Sequence, residues 1–429
     1  MPATAEWTRF TKYARRMRGL KMDLSQEPIP SDVLSVLQLR ALNEPLFPNL
    51  KLLELDEVTS DIIPLVPLFL HHGMGKVEIK FKETPPAVMV AAMMVNLPKL
   101  CPHLQSVSLN PLPRDPTVID AASEMILTCN LDALQYFLVD SPLTEKANQV
   151  IFQLPNLRML WSVLTQSATL PDVSLPDLTA IDIEFHHDHG WLRAFRKATL
   201  TKLTEVNFRA ECNQVGSFLE AFEDVALATS ASTAISIFRF YTSCSWNPNY
   251  HSLLTFKQLK ELVLEFSCDN GCSSRIDDEI LIALTQAMPM LEILQIGGQP
   301  CHVPGGITTR GLIALAHHCP RLSKLRVHFQ TNSLVLALAE ETPQSSQEAC
   351  FPRGDSALTT LEVGEIYIPQ PHVFHVFLML VRIFPRLRDI EYVDEGWKWV
   401  ADSFTLAQRI DSLIHRSGKA PHLAFCYPH

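Results

Sequence analysis

One short pattern, apolar-x-x-apolar-x-apolar, recurs fourteen times along this chain, with a single polar substitution at Ser162. Successive copies begin 21 to 36 residues apart, which is the spacing of a stacked repeat and not that of a coiled coil. One copy has no predictive value, but a near-regular series predicts a solenoid of repeated strands. The copies begin at Met17, Leu50, Met74, Leu104, Leu134, Leu157, Leu178, Leu203, Ile235, Leu259, Leu291, Leu322, Leu358 and Leu387.

Two neighbouring copies indicate what surrounds each strand. The stretches ILIALTQAMPMLEILQI (280–296) and GLIALAHHCPRLSKLRV (311–327) align residue by residue. In each, apolar residues at helical spacing stop at a proline, Pro289 or Pro320, and apolar residues then alternate with polar ones. Proline disfavours helical conformation in the residue before it. Each repeat is therefore predicted to be a helix, a proline joint and a strand.

The ends of these two predicted helices follow from residue type. Asp277 and Thr308 stand at equivalent positions before the helices, where their side chains are suited to be N-caps. At the other end, Cys319 and Cys101 fill the position that Met288 fills in the neighbouring repeat. Since methionine replaces cysteine there, we predict that both thiols are buried apolar groups without a nucleophilic or redox role.

A strand with one apolar face, following a helix with one apolar stripe, can bury both only against similar neighbours. Parallel strands joined by right-handed helical crossovers meet that requirement. We therefore predict an α/β fold, a horseshoe-shaped or arc-shaped solenoid with parallel strands on the concave face and helices on the convex face.

The chain resembles leucine-rich-repeat proteins, and the solenoid that this implies has a ribonuclease-inhibitor-like shape. The order ITTRGLIALAHHCPRLSKL (307–325), with its Cys-Pro-x-Leu joint, resembles the cysteine-containing repeats of F-box proteins, above all the divergent fungal type. The resemblance implies a receptor that presents a protein substrate to a cullin-based (Skp-cullin-F-box) ubiquitin ligase.

The F-box module of that family opens with a Leu-Pro-x-Glu-like signature. The segment 29–34 (IPSDVL) is similar to it but lies only 18 residues before Pro48, too close for three helices. We interpret this segment as the outer helix of the first repeat. We therefore expect either a shortened chain, with an F-box and its adaptor contact encoded upstream, or a receptor scaffold without its own adaptor contact.

The domain organisation predicted from these patterns has three parts. Residues 1–16 form an N-terminal capping helix, residues 17–393 a solenoid of about 14 irregular units, and residues 394–429 a C-terminal capping segment. The polar, turn-rich stretch 339–356 is predicted to be a mobile inserted loop. In the last outer helix, the predicted buried stripe consists of Phe374, Phe377, Leu380, Val381 and Phe384.

The composition narrows the class of partner. The 429-residue chain is 47% hydrophobic with a formal net charge of −10, which favours a folded acidic protein and argues against nucleic acid or an anionic membrane as the main partner. Its 10 cysteines are too few for a disulfide scaffold and show no paired spacing except that of Cys268 and Cys272, which favours the cytoplasm or nucleus.

Two clusters contain residues that can bind metal, and both are interpreted as turns. His186, His187 and His189 follow a strand, but no second pair of ligands stands at a zinc-finger spacing nearby. Cys268 and Cys272 flank a turn-like Asp-Asn-Gly. We also find no phosphate loop, zinc-protease helix or nucleophile elbow. We predict no enzymatic activity, no metal and no cofactor.

The exposed positions of the strands are then the candidate binding residues. Tyr136, Leu138, Met159 and Trp161 are expected to form an apolar patch on two neighbouring strands. Tyr241 with Arg209 and Arg239 forms a second predicted cluster, and Arg326 is a further candidate on the same face.

Two functions remain open at this point. The first is the F-box-like receptor, which binds a protein on its concave face and contacts the ligase adaptor if an F-box precedes this chain. The alternative is a stand-alone leucine-rich-repeat scaffold or inhibitor unconnected to ubiquitination.

Overall fold

The chain forms two compact units, Met1–Ala234 and Ile235–His429. A computed structural model describes most of the chain in both. The described residues are 4–25, 33, 36–37, 45–129, 131–164, 175–185, 200–210, 235–242, 250–266, 276–297, 306–330, 356–363, 368, 372–392 and 395–416.

The described residues of the first unit contain eight strands in one parallel sheet, and each pairs with the next along the chain. All eight lie on predicted repeat positions, including the weak signatures at Met17, Met74 and Leu157. The strands are β1 (Gly19–Asp23), β2 (Leu52–Val58), β3 (Lys76–Phe81), β4 (Ser106–Asn110), β5 (Tyr136–Pro142), β6 (Met159–Leu164), β7 (Ala180–Phe185) and β8 (Glu205–Ala210).

Helices connect these strands. The described ones are α1 (Thr4–Ala14), α2 (Ala87–Leu100), α3 (Pro116–Thr128) and α4 (Glu145–Ile151), with 3-10 turns at Ile63–Phe69 and Leu131–Ala133. Helix α3 packs between α2 and α4. Asp115 caps α3 by accepting a hydrogen bond from the Thr117 N–H at 2.9 Å.

The strands of the first unit have one buried and one open face. Val107 and Phe137 lie beneath α3, where their side chains and those of Met125 and Ile126 line a small apolar recess. The intervening residues of most strands are half-buried and point to the opposite side. We call that opposite side the open face; it corresponds to the face predicted to be concave.

The second unit repeats this arrangement, and the part of it that the structure describes has six parallel strands paired in chain order. They are β9 (Ile237–Thr242), β10 (Glu261–Phe266), β11 (Ile293–Ile296), β12 (Lys324–Val327), β13 (Thr360–Glu362) and β14 (Asp389–Glu391). The described helices are α5 (Asp278–Ala287), α6 (Thr309–His318), α7 (Val373–Ile383) and α8 (Glu395–Arg416), with a 3-10 turn at Tyr250–Thr255. The predicted α/β architecture, with parallel strands in chain order and helices between them, is confirmed.

Both predicted N-caps are confirmed. The Asp277 carboxylate accepts a hydrogen bond from the Ile280 N–H at 2.9 Å, and the Thr308 hydroxyl accepts one from the Arg310 N–H at 3.2 Å. The helices end directly before Met288 and Cys319, so both proline joints are where the sequence predicts them.

Asp278 adds a link between the two repeats that the sequence analysis did not anticipate. Its carboxylate accepts hydrogen bonds from the Thr308 N–H at 2.7 Å and from the Gly311 N–H at 3.1 Å. The Thr308 hydroxyl donates a third, at 2.5 Å. A Cβ atom at position 311 would lie 2.4 Å from the same carboxylate, so a larger residue there would displace Asp278 from these hydrogen bonds. The first turn of one helix thus also caps the next.

Aromatic side chains pack at both ends of the chain. In the first unit, the Phe10 ring of α1 lies 5.8 Å from Phe47, which stacks on Phe69. In the second, Trp397 of α8 is fully buried with its ring 5.8 Å from that of Phe329. The predicted domain boundaries at residues 16 and 393 remain predictions.

The predicted core stripe of α7 is partly wrong. Leu380 and Phe384 are buried as expected, but Phe374 is 61% exposed and Val381 is 36% exposed. Phe377 is half-buried, with its ring 4.9 Å from Phe404 of α8. The buried stripe consists instead of Val376, Met379, Leu380, Ile383 and Phe384. Because VFHVFLMLVRI is apolar almost all round, its periodicity cannot select the face that is buried.

Several predicted features lie outside the described residues: the metal-type clusters at His186–His189 and Cys268–Cys272, nearly all of the inserted loop 339–356, and most of the IPSDVL segment. In the part of the chain that the structure describes, no helix combines the length and apolar character needed to cross a membrane.

Candidate functional site

The four residues of the predicted apolar patch lie side by side on the open face of the first unit. Tyr136 pairs in register with Met159, and Leu138 pairs with Trp161. All four side chains are half-buried. Neighbouring strands are about 5 Å apart, so the four form one continuous surface, which we call the apolar patch. Strand β6, the least regular in sequence, pairs with β7 over all six of its residues.

A group of polar residues adjoins the apolar patch. Trp161, Asp182 and Asn207 are aligned across β6, β7 and β8. The Asn207 amide donates a hydrogen bond to Asp182 Oδ2 at 2.6 Å, and the Arg209 guanidinium donates one to the same oxygen at 3.1 Å. The Arg209 Cζ also lies 5.6 Å from the centre of the Trp161 ring, in a cation–π contact. Arg209 therefore connects Trp161 of the apolar patch to the carboxylate of Asp182.

A loop completes the polar side of this region. Arg114, which follows β4, forms an ion pair with Glu184 of β7, a residue 70 positions further along the chain. The Glu184 side chain is 13% exposed, whereas that of Arg114 is 54% exposed. Asp140, at the end of β5, lies within electrostatic range of Arg114, Glu184 and Arg209. We call Arg114, Asp140, Asp182, Glu184, Asn207 and Arg209 the polar cluster.

Burial changes the acidity of two carboxyl groups in the polar cluster. Desolvation raises the pKa of Asp182 to about 6, and the contacts with Arg209 and Asn207 only partly oppose it. The pKa of Asp140 is also raised, first by burial and then by the charge of Glu184. Both carboxylates therefore lack part of the stabilisation that they would have in water.

Three atoms of this region are buried without a hydrogen-bond partner among the described residues. They are Trp161 Nε1, Asp182 Oδ1 and Asn207 Oδ1. The first is a donor, and the other two are acceptors. Buried polar groups normally find a partner, so three such atoms on three adjacent strands mark a candidate binding feature.

The charged candidates of the second unit are engaged with their own neighbours. Arg239 contacts both carboxylate oxygens of Glu261, at 2.6 and 3.1 Å. The Arg326 side chain, 11% exposed, forms ion pairs with Glu265 and, at 3.1 Å, with Glu362. Tyr241 is half-buried on the open face of β9. Arg209 belongs to the first unit and Arg239 and Tyr241 to the second, so their grouping remains a prediction.

Two members of the polar cluster, Arg114 and Asp140, are not among the residues that the repeat pattern singles out. Arg114 lies in a loop, and no local pattern relates it to a strand 70 residues away. Asp140 continues the alternation of β5, half-buried between buried Val139 and Ser141, so the strand phase does place it on the open face. The alternation of side chains along β7 and β8 does place Asp182 and Asn207 beside the patch.

The buried cysteines are not suited to catalysis. Burial raises the pKa of the Cys101 and Cys319 thiols to about 12, and that of Cys129 to about 11. A thiol with such a pKa stays protonated near neutral pH and is a poor nucleophile. Within the described ranges, no three His, Cys, Asp or Glu side chains are grouped so that they could hold a metal ion.

Comparison with known proteins gives no family assignment. No family model matches the chain, and no curated protein matches its sequence. Among solved structures, a chain from the crystal structure of the yeast Rad7 and Elc1 complex is similar, with 12% sequence identity. The alignment covers 86% of this chain and 93% of that one, with a TM-score of 0.33. So loose a superposition transfers no function to this chain.

Proposed function

We propose that this chain is a protein-interaction module and that the apolar patch of the first unit is its main binding surface. The observation that carries the proposal is the register pairing of Tyr136 with Met159 and of Leu138 with Trp161 on the open face. Large aromatic and apolar side chains held on rigid strands bind partners at a low cost in conformational entropy. The module has a positioning role and makes or breaks no bonds.

We further propose that the bound protein is a substrate held for a cullin-based ubiquitin ligase. The support is the order of residues in 307–325, which resembles the cysteine-containing repeats of F-box proteins. In such an arrangement the repeat unit raises the local concentration of the substrate at the ligase and fixes its orientation. The contact with the ligase adaptor would come from an F-box module.

The binding surface is tested by Trp161→Ala in the full-length chain. Loss of a central aromatic anchor should weaken capture of a protein partner by roughly 30-fold. Trp399→Ala is the matched control, because Trp399 is 59% exposed and lies in the second unit. Partners are recovered by affinity purification after cross-linking, and thermal unfolding verifies that both variants fold. Equal recovery by the two variants would place the binding surface elsewhere.

The ligase role is tested by the identity of the proteins recovered with the full-length transcript product. We expect a ligase adaptor and a cullin beside the substrate. Recovery of a partner without either of them would remove the ubiquitin assignment and leave a stand-alone interaction scaffold.

A further inference from the structure

The polar cluster next to the apolar patch has the chemistry to bind a cation. Four carboxylates lie in or beside it, those of Asp140, Asp182, Glu184 and Glu205, and the pKa of Asp182 is raised partly by the last two. Among the described residues, the guanidinium groups of Arg114 and Arg209 are their cationic counterparts. Asp182, whose second oxygen has no donor among the described residues, is the acidic group that attracts an added positive charge.

The unsatisfied atoms point to the same kind of ligand. Asn207 is only 7% exposed, and its amide nitrogen bonds to Asp182 while its Oδ1 atom has no donor in the described part of the chain. Asp182 Oδ1 also lacks one. Two neighbouring acceptor oxygens are suited to an ammonium or guanidinium group, which carries several N–H donors.

The order of apolar and charged groups across the sheet matches the order of groups along a lysine or arginine side chain. Leu138, Trp161 and Asp182 are aligned on three consecutive strands, so an apolar surface leads directly to a carboxylate. Lysine and arginine have the same order, an apolar stem and a charged head. The Arg209 guanidinium already occupies such a position, against the Trp161 ring and Asp182 Oδ2.

We propose that the polar cluster binds a lysine or arginine side chain of the protein partner, with its stem on Trp161 and its charged head at Asp182 and Asn207. This proposal rests on the proposed function, because it identifies what the same surface recognises. The Trp161 Nε1–H, also buried without a partner among the described residues, is the donor that we assign to a carbonyl of the same bound segment. Arg209, with 39% of its side chain exposed, moves aside when the segment binds.

An acidic partner is the competing possibility. Arg114 and Arg209 are the groups that would bind it, but they are paired with Glu184 and Asp182 respectively. An incoming carboxylate would have to displace those pairs and approach the remaining acidic groups. The observed charges therefore favour a basic segment.

The test uses a phage-displayed library of random dodecapeptides selected on the full-length chain. Enriched peptides are synthesised and titrated by fluorescence anisotropy against the wild type, Asp182→Asn, Arg209→Gln and Glu78→Gln. Glu78 is the matched control, because it lies at the same register level of the open face on β3 and pairs with Lys76.

We expect lysine or arginine in the enriched peptides and a loss of roughly tenfold or more in affinity for Asp182→Asn. Glu78→Gln should leave the affinity within about twofold, and Arg209→Gln should leave it equal or tighter because it removes a competing guanidinium. Replacing the basic residue of the peptide by norleucine or citrulline should weaken binding to the wild type but not to Asp182→Asn.

Other results overturn the proposal. Enrichment of acidic peptides that Arg209→Gln no longer binds would identify the opposite charge preference, and equal affinity for Asp182→Asn and wild type would remove Asp182 from the site. If Asp182→Asn does not fold, Glu184→Gln is titrated instead, and affinity equal to that of the wild type would again overturn the proposal.

Two further outcomes separate this inference from the proposed function. Apolar peptides that bind without any charge dependence but are lost with Trp161→Ala would overturn this inference and leave the proposed function intact. A library that yields no peptide sensitive to Trp161→Ala would overturn both.

Discussion

Asp182 lies where an apolar surface meets a polar one, and its carboxyl group is influenced by both. One oxygen accepts hydrogen bonds from Asn207 and Arg209, while the other has no donor among the described residues. Burial is the largest influence on this group and raises its pKa. A carboxylate in this position costs stability when it is ionised, and that cost can be measured.

We predict that Asp182→Asn stabilises the chain at high pH but not at low pH. The pKa of Asp182 rises from 3.8 to about 6 on folding, so the folded state binds the proton more tightly. The wild type therefore gains stability as the pH falls through the interval from about 6 to about 4, whereas the asparagine variant has no such group. At pH 8 the variant should be more stable by about 1–3 kcal/mol, and at pH 4 the two should converge.

Urea unfolding at a series of pH values between 4 and 8 measures this difference. Glu184 and Glu205 raise the pKa of Asp182 while Arg209 and Asn207 lower it, so all four groups must remain unchanged in the comparison. Parallel stability curves for the wild type and the variant would contradict the assigned burial of the carboxyl group.

At the scale of a single strand, alternation separates residues that stabilise the fold from residues that are available for binding. In β11, Leu294 is completely buried while the next residue, Gln295, is half-buried on the open face. The same phase holds in the paired strands, where Leu294 is in register with Leu262 and Leu325. A buried column of leucines is thus shared by adjacent repeats.

We predict that Leu294→Ala destabilises the second unit by about 2–5 kcal/mol, because it leaves a cavity between packed repeats. Gln295→Ala is the control on the same strand. Its Oε1 atom accepts only a long hydrogen bond of 3.4 Å from Arg326, so its loss should cost less than about 1 kcal/mol. Chemical denaturation measures both, and comparable losses would show that the strand phase is assigned wrongly.

Helix α7 shows the limit of the same kind of reasoning. Strand phase is predictable because polar and apolar residues alternate in most repeats. In α7 apolar residues occur on nearly every side, and the predicted stripe included Phe374 and Val381, which are exposed. Helix α7 contacts α8 and α6, and the periodicity within the helix does not select which of its faces these contacts bury.

At the scale of the whole molecule, the last repeat of the array must be closed, because a solenoid unit buries its apolar surface only against neighbours. Helix α8 covers this end of the second unit. Trp397, Val400 and Phe404 form its buried stripe. Trp399 belongs to the opposite side of the helix and is 59% exposed.

We predict that Trp397→Ala lowers the unfolding free energy of the second unit by about 3–5 kcal/mol, because a large buried ring is lost. Trp399→Ala, which removes the same side chain from the exposed side of the same helix, should change stability by about 0.5 kcal/mol or less. Thermal and urea unfolding compare the two. Equal effects would indicate that α8 does not close the array.

The candidate site could be predicted in part. Register pairing of regular strands places Tyr136 beside Met159 and Leu138 beside Trp161, and the sequence alone indicates this through the phase of the repeats. The involvement of Arg114 could not be predicted, because its partner Glu184 is 70 residues away and the loop that carries it has no repeat pattern. Long-range ion pairs depend on the path of a loop through space.

The sequence by itself determined the parallel strands, their phase, the helix caps at Asp277 and Thr308 and the proline joints, because each follows from the preferences of a few neighbouring residues repeated many times. The tertiary structure alone decided which polar groups remain without partners beside Trp161 and which side of α7 is buried. Those outcomes depend on burial and electrostatics shared among elements distant in the chain, and local periodicity carries no information about them.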